Sequence, residues 1–255
     1  MKFLRVVFIV GTAGSGKSLL TASFVEWLKS KREEIITVNL DPGAVKLPYV
    51  PDVDIRERVR IDTLMEKYSL GPNGALIMAA DLIASEAHII REDLEMLEPN
   101  YVFVDTPGQI EIFAFRASGP YLARELTDDL KLLIYLYDSS FCYNPLNYVS
   151  NMFLSAAIFH RFLIPQIHVL SKTDLIPTNI VDQILDWSTN PEKLELALEE
   201  NASGPTRLLT LDIVKAVSGI GLDFNLIPVS AKTTSGFINF HASLTRIFTR
   251  GEEEI

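Results

Sequence analysis

One eight-residue run constrains this chain more than any other. Gly11-Thr12-Ala13-Gly14-Ser15-Gly16-Lys17-Ser18 fits the pattern G-x-x-x-x-G-K-[ST]. It follows Val6 to Val10, five β-prone apolar residues in a row, which need cover on both faces as at the centre of a parallel sheet. From Lys17 onward, Leu20, Phe24, Val25 and Leu28 recur at helical spacing. Strand, glycine-rich loop and helix in that order predict a phosphate cradle. The glycines let several backbone N–H groups converge, and the helix start adds the positive end of its dipole. Lys17 is expected to face solvent or ligand, placed for the β- and γ-phosphates, with Ser18 placed for Mg²⁺. The nucleotide-contacting candidates are Gly11, Thr12, Ala13, Gly14, Ser15, Gly16, Lys17, Ser18 and Leu19. The ligand class is a nucleoside triphosphate; the loop alone does not choose the base.

The rest of the chain repeats the alternation. Strand patterns fall at 35–38, 101–104, 132–137, 166–170 and 226–229, and helix patterns at 63–70, 75–87, 145–162 and 237–248. Residues 44–60 read as irregular, and Gly71-Pro72-Asn73-Gly74 reads as a breaker between two helices. The expected fold is α/β: a mostly parallel sheet with helices on both faces, a P-loop NTPase architecture with helical insertions. One domain over 1–255 is expected, with elaborations at about 44–95 and about 176–222. With 48% apolar and 22% charged residues, a disordered chain is excluded. A net charge of −10 argues against direct nucleic-acid binding, which needs clustered Lys and Arg. The single cysteine, Cys142, forms no internal disulfide, and no Cys/His spacing fits zinc. A reducing, cytoplasmic location is expected. No run is long enough for a membrane span, and no cleavage site closes a signal-peptide pattern.

Three more motifs stand at predicted strand ends, where ligands bind in open α/β sheets. Asp105-Thr106-Pro107-Gly108-Gln109 ends the 101–104 strand. Asp105 is placed to hold Mg²⁺ together with Ser18, Gly108 to offer an N–H to a γ-phosphate, and Gln109 to orient an attacking water. An ordinary turn would use the same residues; the glycine-rich loop upstream favours the phosphate reading. Ser171-Lys172-Thr173-Asp174 resembles the base-reading N-K-x-D of GTPases, with Ser for Asn. A carboxylate at Asp174 accepts from guanine N1–H and the N2 amine together, whereas adenine presents a lone pair at N1. The Lys172 stem is suited to lie along the purine face. Ser230-Ala231-Lys232 resembles the loop whose Ala N–H meets guanine O6.

Taken with Asn39-Leu40-Asp41-Pro42, Asp54-Ile55-Arg56-Glu57 and Gly71-Pro72-Asn73, these motifs resemble those of the GPN-loop GTPases, over residues 11 to 232. The chain is similar to an archaeal-type, single-domain member. The resemblance implies a Mg²⁺-dependent GTPase that converts GTP to GDP and phosphate and acts as a homodimeric switch. It implies that the Gly71-Pro72-Asn73 loop of each subunit reaches the other's nucleotide, with Asn73 near the γ-phosphate. Lys17, Gln109, Asn73 and Asp41 are the catalytic candidates; Asp41 is either an outer-sphere Mg²⁺ partner or a water acceptor. The Asp54-Ile55-Arg56-Glu57 segment would lie in the nucleotide-sensing region. The family is associated with assembly of protein complexes, RNA polymerase in eukaryotes among them. Two other readings are a slow nucleotide-dependent scaffold and a P-loop kinase.

Overall fold

The apolar run Val6 to Val10, only 0–1% exposed, places β1 (Arg5–Gly11) in the middle of the sheet. The computed structural model describes residues 3–201, 204–219 and 223–253. Along the chain, β1 leads through α1 (Lys17–Lys29) to β2 (Ile35–Asn39) and the short β3 (Val53–Asp54). Three helices follow, α2 (Ile61–Tyr68), α3 (Pro72–Ser85) and α4 (Ala87–Leu97), before β4 (Tyr101–Asp105). A single π turn (Glu111–Phe115) and α5 (Ser118–Glu125) connect to β5 (Leu130–Asp138). Then come α6 (Ser139–Cys142), α7 (Pro145–Phe162) and β6 (Gln166–Ser171). After them lie α8 (Thr178–Thr189), α9 (Pro191–Asn201), α10 (Gly204–Ser218), β7 (Leu226–Pro228) and α11 (Phe237–Glu253).

The seven strands lie in the order β3-β2-β4-β1-β5-β6-β7, and every pairing is parallel. All C-terminal ends therefore share one edge. The chain runs to one side of β1 with β2 and β3 and to the other with β5, β6 and β7. That reversal makes the crevice at the end of β1 the ligand position. Alternate residues of β1 serve opposite faces: Val7 and Ile9 pack under α1 and α11, while Val6, Phe8 and Val10 pack under the remaining helices. Phe24 anchors the first face, 4.4 Å from the Phe240 ring and 5.1 Å from Phe237.

Several boundaries differ from the sequence expectation. β3 is a seventh strand inside the stretch read as irregular; two residues are too few to show alternation. The helix expected at 63–70 spans 61–68, and the one expected at 75–87 starts earlier, at Pro72. Gly71-Pro72-Asn73-Gly74 is not a linker: Ser69, in a left-handed conformation, ends α2, and Pro72 opens α3. Proline suits that place because the first helical N–H groups have no partner anyway. The helix α4 follows α3 after a 57° bend and lies beyond the helix expected at 75–87, where no element was expected before the 101–104 strand. Among the described residues, no single helix is long and apolar enough to cross a membrane.

β6 also carries a titratable core residue. His168 is 1% exposed, stacked 5.1 Å from Phe224, with Nδ1 2.9 Å from the Asp223 carbonyl and Nε2 2.7 Å from Gln166 Nε2. Burial pushes its pKa from 6.5 down to about 4. The folded form keeps the ring neutral while the unfolded chain protonates it. This stability is therefore complete above about pH 6.5 and is lost as pH falls towards 4. Between pH 8 and 5 the loss from this group is about 2 kcal/mol. Urea unfolding of His168→Gln should show a pH dependence flatter by that amount; an unaltered pH slope would contradict the assignment.

Candidate active site

The loop that ends β1 turns through two glycines in the left-handed region, Gly14 at φ 77° and Gly16 at φ 97°. Gly11 is needed for another reason: a Cβ there would lie 2.6 Å from Ser15 Oγ and 3.1 Å from Leu136 Cβ. The turn closes with Ser15 N–H donating to Thr12 O at 3.1 Å, and Gly16 caps α1. Lys17, expected to face solvent or ligand, is closed off from solvent. It is 6% exposed, and its ammonium folds back to donate to Gly11 O (2.9 Å), Thr12 O (3.0 Å) and Gly108 O (3.3 Å). Burial lowers its pKa, with Asp105 and Asp41 opposing.

Asp105 stands where β4 ends, beside β1 (Ile9 pairs with Asp105). It is 1% exposed; burial pushes its carboxyl up to about 6, and the Ser18 and Tyr49 hydroxyls and Lys17 pull the other way. Tyr49 Oη donates to Asp105 Oδ2 at 3.0 Å, while Asp105 Oδ1 is buried with no partner. A buried carboxylate with an orphaned oxygen beside a serine hydroxyl fits a hard divalent cation. Among the described residues no cluster of three or more His, Cys, Asp or Glu could hold a metal. Such an ion would therefore rest on Ser18, Asp105, phosphate oxygens and water, the ligand balance usual for Mg²⁺ with nucleotides.

Asp41 reaches the same corner from the end of β2. Its Oδ2 accepts from Gly108 N at 3.0 Å and its Oδ1 from Gly43 N at 2.9 Å. The Gly108 N–H expected to meet a γ-phosphate is thus held by a carboxylate, an anion of the same charge sign. Gln109 is exposed beside it. Asn39, fully buried, accepts from Asp41 N at 3.0 Å and donates to Asp54 Oδ1 at 2.9 Å. Asp54 in turn grips Arg56, with Oδ2 at 2.6 Å from Nη2, and Arg56 Nη1 donates to Ala44 O at 2.7 Å. The Asp54-Ile55-Arg56-Glu57 segment therefore braces the loop that carries Asp41.

At the other end of the loop, Gly16, Leu19, Leu20, Ser171, Lys172, Asp174, Leu175, Val229, Ala231 and Lys232 line a cavity of ≈ 190 Å³. The sequence singled out seven of these ten for nucleotide contact; Leu20, Leu175 and Val229 add apolar wall. Asp174 Oδ1 accepts from Ser230 Oγ at 2.7 Å, which ties the two base-reading loops together. Ser171 uses its hydroxyl to donate to Ser15 O at 2.8 Å and to Tyr137 O at 3.1 Å, so the departure from Asn still fastens this strand to the phosphate loop. The turn after β7 needs Gly236, φ 82°, where a Cβ would sit 1.9 Å from Pro228 O. Among the larger hollows, those of ≈ 400 and ≈ 740 Å³ lie at the N-terminal edge of the sheet around Leu4 and Leu130, away from every strand-end motif, and one of ≈ 630 Å³ lies beside the Asp41 loop, lined by Pro42, Gly43, Asp54 and Arg56.

Asn73 is exposed in the first turn of α3, and its side chain has no hydrogen bond among the described residues. The structure does not join it to the phosphate loop by a direct bond. The helix head is nonetheless adjacent to the Asp41 loop: a Cβ on Gly43 would lie 3.0 Å from Leu76. Tyr49 and Asp138 are site residues that the motifs did not reveal. Each reaches the site across a long sequence gap, so only the folded chain brings them in.

A family described as "conserved hypothetical ATP binding protein" matches residues 9–250. The chain is 29% identical over 201 residues to GPN-loop GTPase 1 of Saccharomyces cerevisiae, covering 78% of this chain but 51% of that one. It therefore spans about half the length of that relative. It is 30% identical to the GPN-loop GTPase 2 homolog of Dictyostelium discoideum, with 93% of this chain and 78% of the relative covered. Among solved structures, a GTPase from Pyrococcus abyssi in apo form superposes with a TM-score of 0.85 at 29% identity, over 95% of this chain and 96% of the other. With nearly the whole length aligned and Gly71-Pro72-Asn73 at the head of α3, the chain belongs to the GPN-loop GTPase family.

Proposed function

We propose that the protein hydrolyses GTP to GDP and phosphate with Mg²⁺, as a homodimeric nucleotide switch. The observation that carries this reading is the Ser171 Oγ–Ser15 O bond of 2.8 Å, which makes the phosphate loop and the base pocket one continuous site. Guanine enters the cavity beside Asp174, and the phosphates follow Gly16 towards Gly11. Lys17 exchanges its three carbonyls for phosphate oxygens, a stronger, charge-assisted set. Mg²⁺, held by Ser18 and Asp105, would neutralise charge on the β- and γ-phosphates. A γ-phosphate at Gly108 N–H displaces the Asp41 carboxylate, which then accepts from the attacking water together with Gln109. Asn73 of the partner subunit donates to the charge that develops on the transferring group. The family's association with complex assembly makes other proteins, RNA polymerase subunits among them, the clients of the switch.

Lys17→Ala should weaken Mg²⁺–GTP binding by about 10²-fold or more, because charge-assisted bonds to phosphate are lost. Calorimetric titration with and without a Mg²⁺ chelator tests both halves. Normal affinity in the variant, or affinity for GTP indifferent to Mg²⁺, would remove the phosphate-site reading.

A further inference from the structure

The turn after β5 grips Lys172 at two points. Asp138 Oδ2 accepts from Lys172 Nζ at 2.7 Å, with the side chains 30% (Lys172) and 18% (Asp138) exposed. Ser139 Oγ, fully buried, donates to the Lys172 carbonyl at 2.8 Å. The carboxylate is itself fixed, since Asp138 Oδ1 accepts from Ser140 N at 2.9 Å as the cap of α6. Between these anchors Lys172 holds φ 58° and ψ 34°, a region that L side chains avoid. The stem is thereby drawn across the phosphate loop: a Cβ on Gly16 would lie 3.7 Å from Lys172 Cε and 3.9 Å from Cγ.

We propose that Asp138 is a specificity-determining positioning residue: by anchoring the Lys172 ammonium it keeps the stem as a wall of the base pocket and leaves the Asp174 carboxylate to guanine. Lys172 and Asp174 line the same cavity two residues apart, and among the described residues Asp174 forms no ion pair. A lysine released from Asp138 has Asp174 as its neighbouring carboxylate. Pairing there would occupy the acceptor that distinguishes guanine from adenine and would withdraw the stem from the purine face. Asp138 touches neither base nor phosphate and acts through Lys172. The inference rests on the reading of Asp174 as the guanine acceptor.

Asp138→Asn retains a side chain able to cap α6 and removes the charge that holds Lys172. GDP, ADP and inorganic tripolyphosphate are the probes, each titrated into the full chain. GDP affinity should fall roughly tenfold, the loss of one charge-assisted contact. Tripolyphosphate should bind as before, and ADP, which shares the stem but makes no donor pair to Asp174, should lose less than GDP, so the GDP/ADP ratio falls. Lys172→Met has no ammonium to pair with Asp174 and keeps an apolar stem, so it should keep the ratio, and adding it to Asp138→Asn should restore what that variant lost. Asp138→Glu should recover part of the loss. A general structural role would instead weaken tripolyphosphate along with GDP, and that result would overturn the proposal. If Asp138→Asn does not fold, Asp138→Ser, which keeps a capping oxygen for α6, is titrated in its place, and an unchanged GDP/ADP ratio there would overturn the proposal. The two readings separate cleanly. If Asp174→Asn abolishes guanine preference while Asp138→Asn leaves it intact, the positioning role alone falls. If the unaltered protein shows no preference, the guanine reading falls and takes this one with it.

Discussion

Asp174→Asn is expected to erase the preference for GDP over ADP, lowering the affinity ratio by about 10²–10⁴. The carboxylate lines the ≈ 190 Å³ base cavity and commits one oxygen to the Ser230 hydroxyl. Guanine offers it two donors on one edge, N1–H and the N2 amine. Adenine offers a lone pair at N1, which the carboxylate repels. An amide keeps one acceptor and adds donors of its own, so guanine loses a contact and adenine loses a penalty. Charged hydrogen bonds contribute about 1.5–3 kcal/mol each, which sets the scale. Asp174 is exposed, so the thermal midpoint of the nucleotide-free protein should not move. Competition titration gives the ratio directly; the same ratio in both proteins would sink the assignment. The test also settles which nucleotide matters, since the matching family's description speaks of ATP and the named relatives are GTPases.

Asn73→Ala should slow turnover by about 10²–10³ while GTP affinity falls much less. Loss of one preorganised donor at a transition state costs about 2.7–4 kcal/mol, and an interaction made only there does not change ground-state binding. The side chain is exposed and has no hydrogen bond among the described residues, so folding is not at stake. Pro72 at the start of α3 stiffens the turn that presents it. Whether the residue acts across a dimer is decided by mixing subunits. In a mixed dimer of Asn73→Ala and Lys17→Ala protomers, the one intact Asn73 faces the one intact phosphate loop if it acts in trans. Activity should then recover. With subunit exchange confirmed, absence of recovery would rule out the trans arrangement.

The phosphate cradle was legible because its chemistry is local: the backbone turns at Gly14 and Gly16 and the helix start at Lys17 all fall within one short run. The base loops were legible because each motif ends a strand, and parallel strands put their ends at one edge. The burial of Lys17 was not legible, because nothing local announces that Gly108 O, 91 residues away, completes its set of acceptors. Tyr49 was missed for the same reason: its hydroxyl meets Asp105 across 56 residues of chain. Gly71-Pro72-Asn73-Gly74 was read as a breaker because Gly and Pro end helices as readily as they begin them, and only Ser69 in a left-handed conformation shows which. The helix α4 was missed because its buried stripe is short, Ala87, Ile90 and Leu94, although these join the cluster that holds Ala79 and Ile83 of α3.

The central claim, a Mg²⁺-dependent hydrolase selective for GTP, is tested most directly by single-turnover phosphate release. Excess protein is mixed with GTP or ATP in saturating Mg²⁺, with no phosphate acceptor present. The account predicts free phosphate equal to the GDP formed, negligible release from ATP, and none from GTP with Lys17→Ala. GTP recovered intact would leave a nucleotide-dependent scaffold; GDP formed only once an acceptor is added, with the phosphoryl group on that acceptor and none free, would make the protein a kinase; equal release from ATP would contradict the role of Asp174.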